Sequence, residues 1–437
     1  MAKPTVAILG RPNVGKSTLF NRLIGKRKAI VQETPGVTRD RIYGLVDWTG
    51  RQFHLIDTGG YMAFAEGAIE ETVRKQAQIA GDEADVLILL VDSQTGLLPD
   101  DYALSQWVRA TGKPAVLVAN KIDDAVHESR AAEFYELGLG PPHPISAASG
   151  RGVGDLLDEV LGRFPARPEH ETDESGSMGL AIIGVPNSGK SSFLNAILKE
   201  EKAIVTDIPG TTRDSIDSYL NYMGQRVRLI DTAGLRRKAR ISDDIEYYST
   251  VRTLRAIDEC HVAIVMIDAV RGFHMQDVQI MSLLEDRGKG LVVAVNKWDA
   301  IEKDGDTAGR WVKQMQHDYK TLLHAPILFI SVHHNRRLWK AVGAALEVYA
   351  ESSRQIPTAQ LNKFLEEATG YLPPPAVKGK RIQIKYVTQV HRQPPLFAFF
   401  CNHPRLVPVS YQRYLQNRLR ERFGFDGVPI KVSFRKK

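Results

Sequence analysis

The sequence predicts two doubly wound, mostly parallel α/β domains in tandem, with a small α+β domain after them. Three observations carry that expectation. A set of four short motifs occurs twice in the same order. Each copy alternates strand-sized apolar runs with longer helical stretches, the pattern of a parallel sheet covered by helices. And 437 residues are too many for one ordinary core, so two repeats leave room for a third, smaller domain.

The repetition is explicit. Gly10-Arg11-Pro12-Asn13-Val14-Gly15-Lys16-Ser17 returns as Gly184-Val185-Pro186-Asn187-Ser188-Gly189-Lys190-Ser191. Pro35-Gly36-Val37-Thr38-Arg39-Asp40 returns as Pro209-Gly210-Thr211-Thr212-Arg213-Asp214, and Asp57-Thr58-Gly59-Gly60 as Asp231-Thr232-Ala233-Gly234. Asn120-Lys121-Ile122-Asp123 returns as Asn296-Lys297-Trp298-Asp299. The spacing between copies is 174 residues for the first three motifs and 176 for the fourth. One match is chance-prone; four in order are a duplicated domain.

In the first copy the strands read Thr5–Leu9, Phe53–Asp57, Val86–Asp92, Ala115–Asn120 and His143–Ser146. In the second they read Gly179–Ile183, Val227–Asp231, Val262–Asp268, Leu291–Asn296 and Pro326–Ser331. The motifs fall at the carboxyl ends of these strands, where open α/β sheets bind ligands. A polar, acidic, proline-bounded stretch from Pro165 reads as a tether. The tail reads as helix Thr358–Thr369, strands Arg381–Gln389 and Leu396–Cys401, helix Val409–Phe423 and strand Pro429–Arg435. The expected division is therefore 1–164, a linker 165–178, 179–351 and 352–437.

Composition narrows the classes. Two cysteines, Cys260 and Cys401, are too few for a disulfide framework and lack metal-ligand spacing, which suits a reduced, cytoplasmic setting. The N-terminal apolar run is claimed by the first strand and is too short for a signal peptide. No run is long enough to span a bilayer, so no membrane partner is expected and the protein is read as a soluble monomer. The net charge of +7 is unevenly spread. From Pro357 onward fifteen lysines and arginines face four acids, so the rest of the chain is net acidic. A basic tail points to a polyanionic partner.

The motifs specify chemistry. G-x-x-x-x-G-K-[ST] wraps backbone N–H groups around phosphates at a helix N-terminus. Gly10, Gly15, Gly184 and Gly189 allow the close approach, and Lys16 and Lys190 reach the outer phosphate oxygens. The hydroxyls of Ser17 and Ser191 are placed for Mg²⁺. Thr18 and Ser192 follow on the same helix start and complete the phosphate set. Asp57 and Asp231 end apolar strands, where a carboxylate holds Mg²⁺ through water, and Gly60 and Gly234 offer N–H groups to the terminal phosphate. Thr38 and Thr212 are candidates for the loop hydroxyl that closes over the metal.

N-K-x-D decides the base. The carboxylates of Asp123 and Asp299 accept from guanine N1–H and its exocyclic amine, donors that adenine lacks there. Asn120, Asn296, Lys121 and Lys297 complete the motif, the lysine stems lying over the base. Ser146-Ala147 supplies backbone N–H groups near guanine O6, and Ser331-Val332 is the corresponding, more divergent loop of the second copy. Tyr61 and Leu235 stand where many small GTPases hold a water-orienting glutamine, and Pro12 and Pro186 stiffen the phosphate loops. Intrinsic hydrolysis is therefore expected to be slow.

G-x-P-N-x-G-K-S, P-G-x-T-R-D, D-T-x-G and N-K-x-D, given twice before a basic C-terminal domain, resemble the bacterial tandem-GTPase family called EngA or Der. The likeness covers essentially the whole chain. It implies two P-loop GTPase domains, a C-terminal KH-like domain and a role in assembling the large ribosomal subunit, with GTP, GDP and rRNA as partners. It also implies K⁺-assisted hydrolysis, with Asn13, and by analogy Asn187, as candidate K⁺ ligands.

The tail's own residues leave more open. Gly424-Phe425-Asp426-Gly427 has the letters of a KH G-x-x-G loop but sits between a helix and a strand, so it reads as a helix end and turn. Candidate RNA contacts are Lys378, Lys380, Arg381, Arg413, Arg418, Arg420, Arg422, Arg435, Lys436 and Lys437. Competing readings are a GTPase serving another RNA-processing or tRNA-modification system, a signalling or membrane-remodelling GTPase, and a tandem scaffold with one inactive site. The chain ends Phe434-Arg435-Lys436-Lys437 and carries two G domains, which disfavours the tRNA-modifying type. It has no lipidation motif to favour the membrane type.

Overall fold

The apolar runs condense into sheets whose central strands are buried on both faces, which is why their sequences are continuous rather than alternating. The computed structural model describes residues 3–25, 43–57, 84–164, 177–199, 218–230, 246–377 and 379–436. The chain divides into two compact units, Met1–Glu171 and Thr172–Lys437.

The first unit holds one six-stranded sheet in the order β2-β3-β1-β4-β5-β6. Its strands are β1 (Thr5–Leu9), β2 (Tyr43–Trp48), β3 (Arg51–Asp57), β4 (Val86–Asp92), β5 (Ala115–Asn120) and β6 (His143–Pro144). All pairings are parallel except β2–β3. β1, β4 and β5 are buried along their whole length. One face is covered by helices Lys16–Ile24 and Val153–Gly162, whose Leu19, Phe20, Leu156 and Val160 join Val6, Ile8, Val86 and Ile88 in one core.

The second unit repeats the plan. β7 (Met178–Ile183), β8 (Ser218–Tyr222), β9 (Gln225–Leu229), β10 (Val262–Asp268), β11 (Gly290–Asn296) and β12 (Ile327–Phe329) lie in the order β8-β9-β7-β10-β11-β12. Again only the β8–β9 pair is antiparallel. Met178, expected in the linker, is the first residue of β7. The expected strands ending at Ser146 and Ser331 stop at Pro144 and Phe329, because both serines turn into loops closed by hydrogen bonds to Arg151 and Arg336.

β2 and β8 were not expected as strands. Each is the antiparallel edge of a hairpin whose turn is Thr49-Gly50 or Met223-Gly224, with φ of 49° and 82°, and 51° and 75°. Two consecutive positive φ values mark a type I′ turn, usually announced by Asn-Gly or Asp-Gly. Thr and Met carry no such signal.

The tail forms helix Thr358–Tyr371, β13 (Ile384–His391), β14 (Leu396–Cys401), helix Val409–Phe423 and β15 (Lys431–Lys436). β13 and β14 are antiparallel, and β14 and β15 parallel. This module is not a separate bead. One apolar cluster runs from Leu180 and Ile264 of the second sheet, through Ala341 and Leu346 of helix Leu338–Ser353, to Phe364, Phe397, Phe399 and Phe425 of the tail. The Gly424–Gly427 segment is the seam. Leu291 N–H donates to Gly427 O at 2.8 Å, and Gly427 N–H donates to His324 O at 2.5 Å. Gly427 has φ +70°, and a Cβ there would lie 2.6 Å from Val348 Cγ2 and 2.8 Å from Leu291 O. Phe425 is fully buried, with the Arg354 guanidinium 4.7 Å from its ring centre. The sequence expectation of a helix end and turn holds, and the turn is a docking device on the second G domain.

Candidate nucleotide sites

In both units the phosphate loop leaves the central strand and enters a helix, Lys16–Ile24 or Lys190–Lys199. The glycines are demanded by space as well as by backbone angle. Gly15 and Gly189 have φ of 102° and 98°, and a Cβ on either would come within 2.3 Å of Asn120 Nδ2 or Asn296 Nδ2. Gly10 and Gly184 pass 2.3 Å and 2.4 Å, measured the same way, from Leu90 O and Met266 O. Asn13 and Asn187 both adopt the left-handed conformation, φ 66° and 64°, and both are exposed. Asparagine tolerates that conformation better than most residues.

Lys16 is buried, and its Nζ donates to Gly10 O at 2.8 Å and Arg11 O at 2.6 Å. Burial lowers its pKa to about 8; the charge of Asp57 works against that and Arg11 adds to it. A buried ammonium held on two carbonyls of the phosphate loop gains from an anion such as a phosphate. Lys190 Nζ donates to Val185 O at 2.7 Å. Ser17 is exposed on the first helical turn, while Asp57 is buried at the end of β3 in register with Ile8. A hydroxyl and a carboxylate at the mouth of a phosphate loop form the hard oxygen set that suits Mg²⁺. Thr38, Gly60, Thr212, Asp231 and Gly234, with Tyr61 and Leu235, lie outside the described residues.

The base-recognition motif joins the two ends of each site. Asn120 Nδ2 donates to Val14 O at 2.8 Å, and its Oδ1 accepts from Ala147 N–H at 2.9 Å. Asn296 does the same with Ser188 O at 3.0 Å and Val332 N–H at 3.0 Å. One buried side chain thus fixes the phosphate loop against the guanine loop. Lys121 and Lys297, both at positive φ, anchor their ammonium groups on Asp92 at 2.5 Å and Asp268 at 2.6 Å, which sets the line of the aliphatic stems. Burial opposes ionisation of Asp268, yet Lys297 and the Val270 N–H outweigh it and hold the carboxyl below the ordinary range.

Ser146 Oγ donates to Asp123 Oδ1 at 2.6 Å. In the second copy the hydroxyl of Ser331 is the main influence holding Asp299 below the ordinary carboxylate range. The divergent loop Ser331-Val332 therefore has the same local geometry as Ser146-Ala147.

Sequence reasoning missed an arginine clamp beside each phosphate loop. Arg11 Nε donates to both carboxylate oxygens of fully buried Asp101, at 2.9 Å and 2.8 Å, and its Nη2 to Thr95 at 3.2 Å. In the second copy Val185 replaces Arg11. The equivalent acid, Asp277, is held instead by Arg271 Nη2 at 2.6 Å. Arg271 stands at the position of Thr95 when the copies are aligned at 176 residues. The exchange is detectable only once the copies are aligned and the acid is known to be buried.

Of the candidate RNA contacts, Lys380, Arg381, Arg413, Arg422, Arg435 and Lys436 are exposed. Arg418 pairs with Glu421 at 2.7 Å and lies 5.5 Å over the Tyr371 ring. Arg420 corrects the expectation. Its guanidinium donates to Phe425 O at 2.7 Å and Val428 O at 2.9 Å, and burial lowers its pKa, so it braces the seam instead of facing solvent. Lys378 and Lys437 lie outside the described residues.

Two phosphate loops, each locked to an N-K-x-D guanine loop, define a tandem G protein with an added α+β module. Comparison with known proteins agrees. The family model described as "50S ribosome-binding GTPase" matches residues 5–121 and 179–297, and "KH-domain-like of EngA bacterial GTPase enzymes, C-terminal" matches residues 355–435. "GTPase Der" of Caldicellulosiruptor saccharolyticus is 50% identical over 435 residues, covering 100% of this chain and 99% of that one. "GTPase Der" of Amoebophilus asiaticus is 48% identical over 432 residues, covering 99% of each. A solved Aquifex aeolicus Era variant bound to GDP·AlF4− aligns at 23% identity and TM-score 0.32, over 59% of this chain and 88% of that one. The chain belongs to the Der (EngA) family of tandem-domain GTPases.

Proposed function

We propose that this protein is a GTP-hydrolysing switch that acts in assembly of the large ribosomal subunit, in the cytoplasm and as a monomer. The division into 1–164, 165–178, 179–351 and 352–437 is part of that reading. The observation that carries it is the paired asparagine, Asn120 and Asn296, each tying a phosphate loop to a guanine loop through both ends of one amide. That link makes occupancy of the phosphate subsite and of the base subsite interdependent.

In each site Lys16 or Lys190 meets the phosphate charge, while Asp123 or Asp299 accepts from the guanine edge and excludes adenine. Ser17 with Asp57, and Ser191 with Asp231, would hold Mg²⁺, which neutralises charge on the phosphates. Asn13 and Asn187 would hold K⁺, the added positive charge of a family without the glutamine, and hydrolysis is slow and K⁺-stimulated. The exposed bases of the tail, with its excess of basic over acidic residues, favour an rRNA contact. No helix among the described residues is long and apolar enough to cross a membrane.

The test is co-sedimentation with purified ribosomal subunits and whole ribosomes under GDP, a non-hydrolysable GTP analogue and no nucleotide. Analogue-dependent binding to the large subunit, lost in Lys190→Ala, is the expected result. Equal binding in all states, or none at low salt, would overturn the switch.

A further inference from the structure

The guanine loop of the second site carries a group that the first lacks. Its backbone is pinned where the loop begins: Val332 N–H on Asn296, His334 N–H on the Ser331 hydroxyl at 3.2 Å, and Ser331 paired with Arg336. On that frame stand His333 and His334, and beside them Asp299. Donor atoms of the three side chains all lie within 4.8 Å of one another, and all three residues are exposed. His334 Nε2 is 3.7 Å from Asp299 Oδ2, and the two imidazole rings are 4.7 Å apart and nearly perpendicular. In the first site the corresponding residues are Ala148 and Ser149, which offer no imidazole.

Two imidazole nitrogens and one carboxylate oxygen form a borderline donor set, suited to Zn²⁺, Ni²⁺, Cu²⁺ or Co²⁺ and poorly suited to Mg²⁺ or Ca²⁺. Around an ion bonded at about 2.0 Å, tetrahedral donors stand about 3.3 Å apart. Rotation of exposed side chains closes the remaining distance without moving the pinned backbone. The fourth position is left to water.

We infer that Asp299, His333 and His334 form a transition-metal site whose occupation excludes guanine from the second nucleotide site. The carboxylate is shared. The lone pairs that Asp299 would offer to guanine N1–H and the exocyclic amine are those a metal takes, so the two ligands compete. Among the described residues Asp123 belongs to no such group, and the first site should be indifferent to the same metal. The device would silence one G domain while leaving the other loaded. The inference rests on the guanine role of Asp299 proposed above.

The experiment uses the full chain in Mg²⁺ buffer freed of transition metals. Zn²⁺ is titrated by calorimetry and Co²⁺ by its visible absorption, and a fluorescent GDP analogue reports nucleotide affinity in a Lys16→Ala background that silences the first site. The expected result is one ion per chain, with affinity falling about tenfold or more in His333→Ala/His334→Ala, a loss of about 1.4 kcal/mol or more. Saturating Zn²⁺ should displace the analogue from the parent protein and not from that double variant. His333→Gln/His334→Gln, which keeps polar side chains at the surface, should behave alike, and unchanged zinc-free nucleotide binding in both variants would show that they fold. Metal uptake indifferent to both histidines, or full nucleotide binding under saturating Zn²⁺, would overturn the proposal. A missing preference for GDP over ADP in metal-free buffer would instead indict the guanine reading, so the two failures are distinguishable.

Discussion

The two nucleotide sites share one plan and differ in what braces them. In the first, the guanine loop is strapped from outside: Arg22, on the phosphate-loop helix, donates to the carbonyls of Ala147 and Ala148. The aligned residue of the second copy is Ala196, which supplies no strap, although both loops close on themselves, Ser146 with Arg151 and Ser331 with Arg336. The first phosphate loop is tied to its neighbouring helix through Arg11 and Asp101. In the second the arginine comes from the β10 loop, so the phosphate loop is left out of the clamp. The second unit compensates at the far end of its sheet, where the tail shares its core. One duplicated scaffold has thus been stiffened at the ligand end in one copy and at the opposite end in the other.

Removing the seam should separate the copies most. Phe425 is completely buried between tail and second domain, so Phe425→Ala should cost about 3–5 kcal/mol. Urea unfolding followed by nucleotide release is expected to show the second site failing early and the first unchanged. An equal shift of both transitions would erase the contrast.

The clamp gives the next effect. Arg11→Ala strands a carboxylate that is 0% exposed, and leaving a buried charge unpaired costs about 3 kcal/mol. Arg271→Ala should cost less, because Arg271 is 30% exposed against 10% for Arg11 and reaches Asp277 through a single oxygen. Asp101 also fixes the sign of the pH dependence. Burial pushes its carboxyl up, and the hydrogen bond and charge of Arg11 pull it back. A folded-state pKa above the unfolded value means that the protonated acid favours the fold, with stability gained as pH falls toward the carboxylate range. Without Arg11 the rise is larger, so the defect should be greatest near neutrality and shrink in acid. Arg11→Val with Thr95→Arg rebuilds the second copy's arrangement and should recover most of the loss. No recovery would mean that the exchange of arginines is incidental.

How much of this was legible in the sequence depended on the range of the interaction. β4, β5 and β10 were readable to the residue because strands buried on both faces are written as unbroken apolar runs. The phosphate-loop and N-K-x-D segments were readable because their motifs are local. β2 and β8 escaped because Thr49-Gly50 and Met223-Gly224 make hairpin turns without the usual residues. The Arg11–Asp101 clamp spans 90 residues and exists only after the sheet order is set. Arg420 was misread for a similar reason: among the arginines of one helix, only the fold shows which guanidinium turns inward.

The strap supplies the finest test. Arg22 bonds two backbone carbonyls of a loop that Asn120 already holds at Ala147 N–H. Because Arg22 is exposed, water replaces most of what the bonds contribute, and Arg22→Ala should weaken GDP at the first site only about threefold. The reciprocal change, Ala196→Arg, places a guanidinium on the second helix, beside a loop that Asn296 holds at Val332 N–H without a strap, and should leave affinity there unchanged. Fluorescent-GDP titration resolves a factor of this size. If Arg22→Ala instead abolished binding, the strap and not the asparagine would be the element that positions the first guanine loop, and the two copies would differ in how they recognise the base, not only in how they are braced.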